Sequence, residues 1–291
     1  MLKIKINGRS FNMPTHWEDI TLTQCAWLYK HLYEQSDELV DYYRSLVNED
    51  KKPLNPRDIE GFKAFYTSVI CYLSSTPQEL LQSTNVEDVE KLAMGILPRF
   101  ILGVMGHIEG DVAKGARSFK FGRKTYYFPL SGVDISGNPT PLSSLSAVEG
   151  CNLSDIILAN NIGLASVAIA ISCRLKGERY NEGKVQQRIE LFKSLPASVY
   201  WELWSLTSAA HNYLRVSYKD CYGQGGGSGF RSSAGPTWTN TLTSMAINNP
   251  RNLEYLQQMP YYDFMHLLSE RHKDKKEEWK KSAALAGLKL K

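Results

Sequence analysis

Apolar positions along this chain recur mostly at intervals of three and four and alternate in only two places. The pattern predicts a mainly α protein, about half to two-thirds helix, with two short β-hairpins near residues 2–13 and 118–128. In the first, Leu2, Ile4 and Ile6 alternate with Lys3 and Lys5, Asn7-Gly8 suits the positive φ angles of a tight turn, and Arg9 to Met13 form the return strand. In the second, Phe119 and Phe121 precede Gly122-Arg123, and Tyr126, Tyr127 and Phe128 follow, ending at Pro129. The order strand, Gly-Arg turn, strand, proline therefore occurs twice, each time ahead of a helical block. Two hairpins in one chain are common enough that chance is the expected explanation.

The helices announce themselves by caps and faces. Thr21 is a natural N-cap, and Gln24 can reach back to the Thr21 N–H, a capping box in front of Leu22, Cys25, Ala26, Tyr29, Leu32 and Tyr33. Trp17 lies just outside and can pack back on that helix. Further helices are expected near Ser36, from about Pro56 to Ser74 with Phe62, Phe65, Tyr66, Val69, Ile70 and Leu73 on one face, over Val86–Ala93 and over Arg99–His107. Thr76, Pro77 and Glu79 repeat the capping-box logic with proline at the first helical position. Beyond a polar loop from Ser131 to Thr140, short helices are expected over Leu142–Val148 and Leu153–Leu158. Leu164–Cys173 is apolar almost all round, which places it centrally. Val185, Ile189 and Phe192 define a helix ending at Pro196, and Val199, Leu203, Leu206, Ala210 and Leu214 the next; Thr237–Met245, Leu253–Gln257 and a long helix from Tyr262 close the chain. Read linearly, this gives a hairpin plus helical domain over 1–115, a second over 116–222, a flexible Gly-rich loop over 223–235, and C-terminal helices with a basic tail over 236–291.

With 43% hydrophobic and 22% charged residues in 291, the chain can bury a full core and falls outside the disordered class. No window offers the roughly 20 apolar residues of a membrane-spanning helix, and the N-terminus has a strand pattern without the apolar core of a signal peptide, so retention in the compartment of synthesis is expected. Five widely spaced cysteines, Cys25, Cys71, Cys151, Cys173 and Cys221, read as reduced thiols.

The residue types and their spacing predict no catalytic, cofactor-binding or metal-ligating set. Gly223 to Gly229 lacks the Lys and Ser or Thr of a phosphate-binding loop, with Phe230 and Arg231 following, and reads as a mobile segment. His16, His31, His107, His211, His266 and His272 are scattered without ligand spacing; His211, beside Trp201, Trp204 and Tyr213, reads as a packing histidine. Glu87-Asp88 and Glu277-Glu278 are adjacent pairs that point about 100° apart on a helix. No serine sits in a G-x-S-x-G elbow. The stretch from Glu270 onward carries the net charge of +4 that the whole chain has. It reads as a solvated helix with pairs such as Glu277 and Lys281; a docking arm is the sharper reading, disfavoured by the mixed signs, and nucleic acid is disfavoured for the same reason.

Three stretches resemble the tail assembly chaperones of tailed phages, virion-assembly proteins encoded near the tape-measure protein. They are Pro14 to Gln24 with its helix; Ile70 to Leu97, with Leu73, Ser74, Thr76, Glu79, Leu80, Leu81, Val86, Val89 and Leu92; and Val167 to Trp204, with Gly177, Arg179, Tyr180, Asn181, Arg188, Phe192, Leu195, Pro196 and Val199. Trp201 and Trp204 stand where that group carries paired phenylalanines. The resemblance implies a non-enzymatic binding activity in the host cytoplasm during phage assembly, with a tail or tape-measure protein as partner, no cofactor, and homo-oligomerisation left open. The alternative it implies is a permanent virion component: a tail, connector or packaged protein.

Overall fold

The computed structural model describes residues 1–33, 62–84, 117–159, 161–221, 237–246 and 249–285. The protein is mainly helical with a few short strands in small sheets, as the periodicity predicts. The helices expected near Ser36, over Val86–Ala93 and over Arg99–His107, the start expected near Pro56, and the 223–235 segment lie outside the described residues. Two compact units are present. One comprises Met1–Lys114, Ile162–Ser166 and Gln186–Glu202, the other Gly115–Asn161, Val167–Val185 and Leu203–Lys291. Both are discontinuous in sequence.

In the first unit, β1 (Leu2–Ile6) pairs antiparallel with β2 (Arg9–Met13), Ile6 opposite Arg9. Asn7 and Gly8 both take positive φ, 48° and 77°, the type I′ turn that this dipeptide favours. Ile4, Ile6 and Met13 turn inward, and a 3-10 turn at Trp17–Asp19 leads to α1 (Leu22–Tyr33). Leu22, Cys25 and Leu28 form its buried face, with Ala26 and Tyr29 half-buried beside them. α2 (Phe62–Ser74) buries Phe65, Tyr66, Val69, Ile70 and Leu73 and packs on α1 and β2; at the same contact Tyr72 stacks on Trp27 with ring centroids 4.1 Å apart. The short α3 (Gln78–Gln82) departs from expectation. Pro77 itself occupies the N-cap position, and the Thr76 hydroxyl lies 2.6 Å from that of Ser74 instead of capping the helix.

The first unit is closed by an exchange of backbone hydrogen bonds between two helix starts. Leu22 N–H donates to Leu195 C=O at 2.8 Å and Ala197 N–H to Ile20 C=O at 2.8 Å, so Thr21 and Pro196 face each other as an antiparallel bridge at the beginnings of α1 and a later helix, Ala197–Ser217. Thr21 and Pro196 are the non-hydrogen-bonded pair of this bridge, so the missing proline N–H is not needed. Together with the capping box, in which Thr21 N–H donates to Gln24 Oε1 at 2.8 Å and Gln24 N–H to Thr21 Oγ1 at 3.2 Å, and with Thr23 N–H donating to Lys193 C=O at 3.2 Å, every N–H in the first turn of α1 has an acceptor. Trp17 sits edge-on to Trp201 beside the bridge, centroids 5.2 Å apart.

The second unit repeats this plan. β3 (Ser118–Phe121) and β4 (Lys124–Tyr127) form the hairpin, with Gly122 at φ 59°. The loop read between Ser131 and Thr140 contains a small ladder, β5 (Gly132–Val133) with β6 (Pro139–Thr140), folded by the Asp134 carboxylate, which accepts from the N–H groups of Ser136 and Asn138 and from Asn138 Nδ2. The two short helices expected over Leu142–Val148 and Leu153–Leu158 are one, α4 (Ala147–Leu158), preceded by a turn at Leu142–Leu145. Ser146 and Glu149 form a capping box that the sequence carries as S-x-x-E, so the helix starts after Ser146 and runs through Gly150 without a break.

The same exchange closes this unit. Ala147 N–H donates to Met259 C=O at 2.7 Å and Tyr261 N–H to Leu145 C=O at 2.8 Å, pairing Ser146 with Pro260. Thus Ile20, Thr21, Leu22 and Gln24 correspond to Leu145, Ser146, Ala147 and Glu149, and Leu195-Pro196-Ala197 to Met259-Pro260-Tyr261. The recurrence goes well beyond two hairpins.

The remaining helices are α5 (Ala165–Ser172), buried almost throughout as its composition requires, α6 (Glu182–Phe192), α7 (Ala197–Ser217), α8 (Trp238–Met245), α9 (Pro250–Gln258) and α10 (Tyr261–Leu285). α5, α6 and α7 contribute residues to both units. β7 (Arg174–Leu175) adds to β4 to make a three-stranded sheet, so the two hairpins belong to separate sheets. α4 is the centre of the second unit, contacted by α8, α9 and α10.

The approach of α10 to α4 depends on Gly150, where a Cβ would overlap the Tyr261 ring. The first unit places Cys25 and Ala197 at the corresponding positions, the larger side chain on the other helix. Gly150→Ala should therefore lower stability by about 1–3 kcal/mol, the usual cost of overpacking, read as a shift of the urea midpoint. Adding Tyr261→Ala should cost less than the sum of the two single changes.

Candidate functional site

The polar side chains with chemical capacity converge in the second unit, around α4. Glu149 is 1% exposed, and its Oε2 accepts from the Ser146 N–H at 2.8 Å and from the Ser146 hydroxyl at 2.7 Å. Its Oε1 lies 2.9 Å from an Arg174 guanidinium nitrogen, which also donates to Ser144 C=O at 3.0 Å. Burial pushes the Glu149 carboxyl up, against the lowering effect of the Ser146 N–H and the Arg174 charge. Arg174 reaches this site because its strand, β7, is hydrogen-bonded to β4. In the first unit Gln24 makes the same contacts with Thr21 as a neutral amide.

One turn further along α4, Ser154 is fully buried and its hydroxyl donates to Gly150 C=O at 2.5 Å. The same oxygen lies 3.0 Å from Tyr261 OH and 2.9 Å from His211 Nε2, so three polar groups meet at one buried hydroxyl. A serine beside an imidazole is the geometry of a nucleophile and its base. Here both groups are sealed from solvent, and the hydroxyl is held by Gly150 C=O and Tyr261 as well. Burial, and secondarily the Arg215 charge, bring His211 down to about 4. The arrangement ties α4, α7 and α10 together.

Asp155, the next residue, caps another helix. Its carboxylate accepts from the N–H groups of Trp238 at 2.7 Å and Thr239 at 3.1 Å and from the Thr239 hydroxyl at 2.7 Å, so a charge on α4 meets the positive end of α8. α4 thus spends Glu149, Ser154 and Asp155 on the backbones and side chains of neighbouring elements.

Other residues weighed from the sequence are dispersed. His31 lies against Trp27 with the rings tilted at 50°, His266 and His272 are exposed, and His107 and the Glu87-Asp88 pair lie outside the described residues. Cys25, Cys151 and Cys173 are buried, and Cys71 and Cys221 half-buried, all as free thiols. Among the described residues no three His, Cys, Asp or Glu side chains converge on a metal position, and no helix is long and apolar enough to cross a membrane. Glu277 pairs with Lys280 at 2.7 Å rather than with Lys281. The Glu149–Arg174 pair and the caps on α8 escaped the sequence reading. S-x-x-E at 146–149 was a local signal for the first, whereas nothing near Asp155 points to a helix more than eighty residues away. A scan against protein-family models, a search of curated proteins and a search of solved structures each return no match to this chain.

Two expectations follow from this cluster. Arg174→Met should leave the Glu149 carboxylate buried without its counter-charge and cost about 3 kcal/mol or more. Glu149→Gln in the same chain should recover most of that in chemical denaturation, since Gln24 does the equivalent work as an amide. For His211, the folded-state value lies below the ordinary 6.5, so the folded state binds the proton less well than the unfolded chain. Its contribution is fully present above pH 6.5 and is lost as the pH falls towards 4, about 3 kcal/mol across the window. His211→Gln, which keeps a hydrogen-bonding group near Nε2 without titrating, should remove that component from the pH dependence of the unfolding free energy.

Proposed function

We propose that the protein is a non-enzymatic assembly factor of tailed-phage virions, chaperone-like, that binds a tail or tape-measure protein in the host cytoplasm during morphogenesis. The observation that carries the reading is the contrast between interior and surface. Reactive-looking groups around α4 are turned inward and satisfied by structural partners, while the surface displays recognition elements: Trp279 at 62% exposure, Val133 at 71%, and Ile135 fully exposed. The resemblance over Pro14–Gln24, Ile70–Leu97 and Val167–Trp204 supports the same assignment and supplies the partner class.

Co-expression provides the test. The protein should raise the soluble fraction of a tape-measure protein from the same phage and co-purify with it, and failure to do either overturns the assignment. Mass spectrometry of purified particles should find the chain absent or far below stoichiometry. A fixed copy number there would make it a permanent virion component instead.

A further inference from the structure

The helix α10 has two halves that differ in kind. Tyr261, Phe264, Met265, Leu268 and Ser269 are buried against the second unit, and Arg271 makes the last tie, donating to Met245 C=O at 2.9 Å. From His272 to Ser282 every side chain is exposed, although the helix continues to Leu285. At 1.5 Å per residue the part beyond Arg271 is about 20 Å long.

Its acids are confined to one side, together with Lys273, Lys280 and Lys281, which leaves the Trp279 side with lysines and no carboxylate. With successive residues about 100° apart, His272, Lys275, Lys276 and Ser282 fall within about 60° of the Trp279 direction, and Glu270, Asp274, Glu277 and Glu278 all lie more than about 90° away. The rear acids are held in pairs along the helix, Glu270 with Lys273 at 2.8 Å and Glu277 with Lys280 at 2.7 Å. The Trp279 face is also the continuation of the packed face. Met265, His272 and Trp279 are spaced by sevens, as are Tyr261, Leu268, Lys275 and Ser282, so the seam that seats α10 on the body runs on into the exposed half.

We propose that this continued seam, His272–Lys275–Lys276–Trp279, is the docking surface for an acidic helix of a partner protein, which packs its apolar stripe on the indole and its carboxylates against Lys275 and Lys276. Continuity with the packed seam and charge complementarity select this occupant. A polyphosphate chain would meet the carboxylates on the flank and rear of so narrow a cationic stripe, whereas a helix touches the front alone. The proposal deepens the assembly-factor reading by naming the surface used, and it is tested separately from that reading.

The probe is a synthetic fluorescent helix with glutamates along one face and leucines along the other, titrated with the full-length protein. Fluorescence anisotropy should show binding that weakens steeply between about 0.05 and 0.5 M salt. Lys275→Glu with Lys276→Glu, and separately Trp279→Ala, should each reduce affinity about tenfold. Lys280→Glu with Lys281→Glu changes net charge as much as the first pair but sits off the seam, and should have a much smaller effect. Equal losses from the two lysine pairs would mean general electrostatics and overturn the proposal. So would tighter binding of an oligonucleotide than of the peptide, or salt-sensitive self-association abolished by the seam variants, which would put a second copy there. If the wild type solubilises the tape-measure protein and the seam variants do so equally well, the docking surface is wrong and the assembly role stands; if the wild type fails, the role falls while the peptide titration still decides the surface.

Discussion

Each unit of this protein depends on one exchange of backbone hydrogen bonds between two helices at their starts. A helix begins with N–H groups that have no acceptor within it, and two helices starting side by side double that deficit. Here each supplies the carbonyl the other lacks: Ile20 C=O accepts from Ala197 and Leu195 C=O from Leu22, with the same pattern at Leu145, Tyr261, Met259 and Ala147. The bridge holds the chain ends of both helices in register, so the side chains that follow are delivered to fixed places. Tyr200 and Trp201 in one unit and Phe264 and Met265 in the other occupy the same positions after the proline, and all four are buried.

The two units solve the same problem with different residues, and the differences show what each choice demands. A neutral Gln24 closes the first capping box without a cation. Glu149 in the second is buried, and its charge brings a requirement for Arg174, which in turn makes use of the strand that extends the hairpin sheet. At the helix crossing, the second unit puts a glycine under a tyrosine, and the added phenol then anchors Ser154 and, through it, His211. Charge and bulk placed in a core call for further partners, so the second unit carries the larger polar network.

That inward commitment shapes the functional logic. Glu149, Ser154, Asp155 and His211 each hold α4 to a neighbouring element, and the described surface presents exposed side chains such as Trp279, Val133 and Ile135. The exposed half of α10 stays helical without packing because its first half is already nucleated on the body and because ion pairs along it add small increments. A helix so presented offers a partner a preformed face at little ordering cost.

The sequence by itself determined the local features: the Asn7-Gly8 turn, the capping box at Thr21 and Gln24, the helical class, the buried run after Leu164, and the charge gathered beyond Glu270. Each is written within a few residues, where backbone preference and periodicity act. Even the second capping box at Ser146 and Glu149 was legible in this way, although the pattern was divided into two short helices, Leu142–Val148 and Leu153–Leu158, where the structure has one starting after Ser146. Only the tertiary structure decided which helix starts meet, that Pro196 and Pro260 sit opposite Thr21 and Ser146, that Arg174 answers Glu149, and that Asp155 caps α8. These partners are separated by tens to hundreds of residues, and their pairing rests on packing and on the satisfaction of buried polar groups, which no local pattern encodes. The sorting of charge on α10 lies between the two. Its spacing is in the sequence, but its alignment with the seam that packs Met265 and Leu268 became visible only once the fold showed where that seam lies.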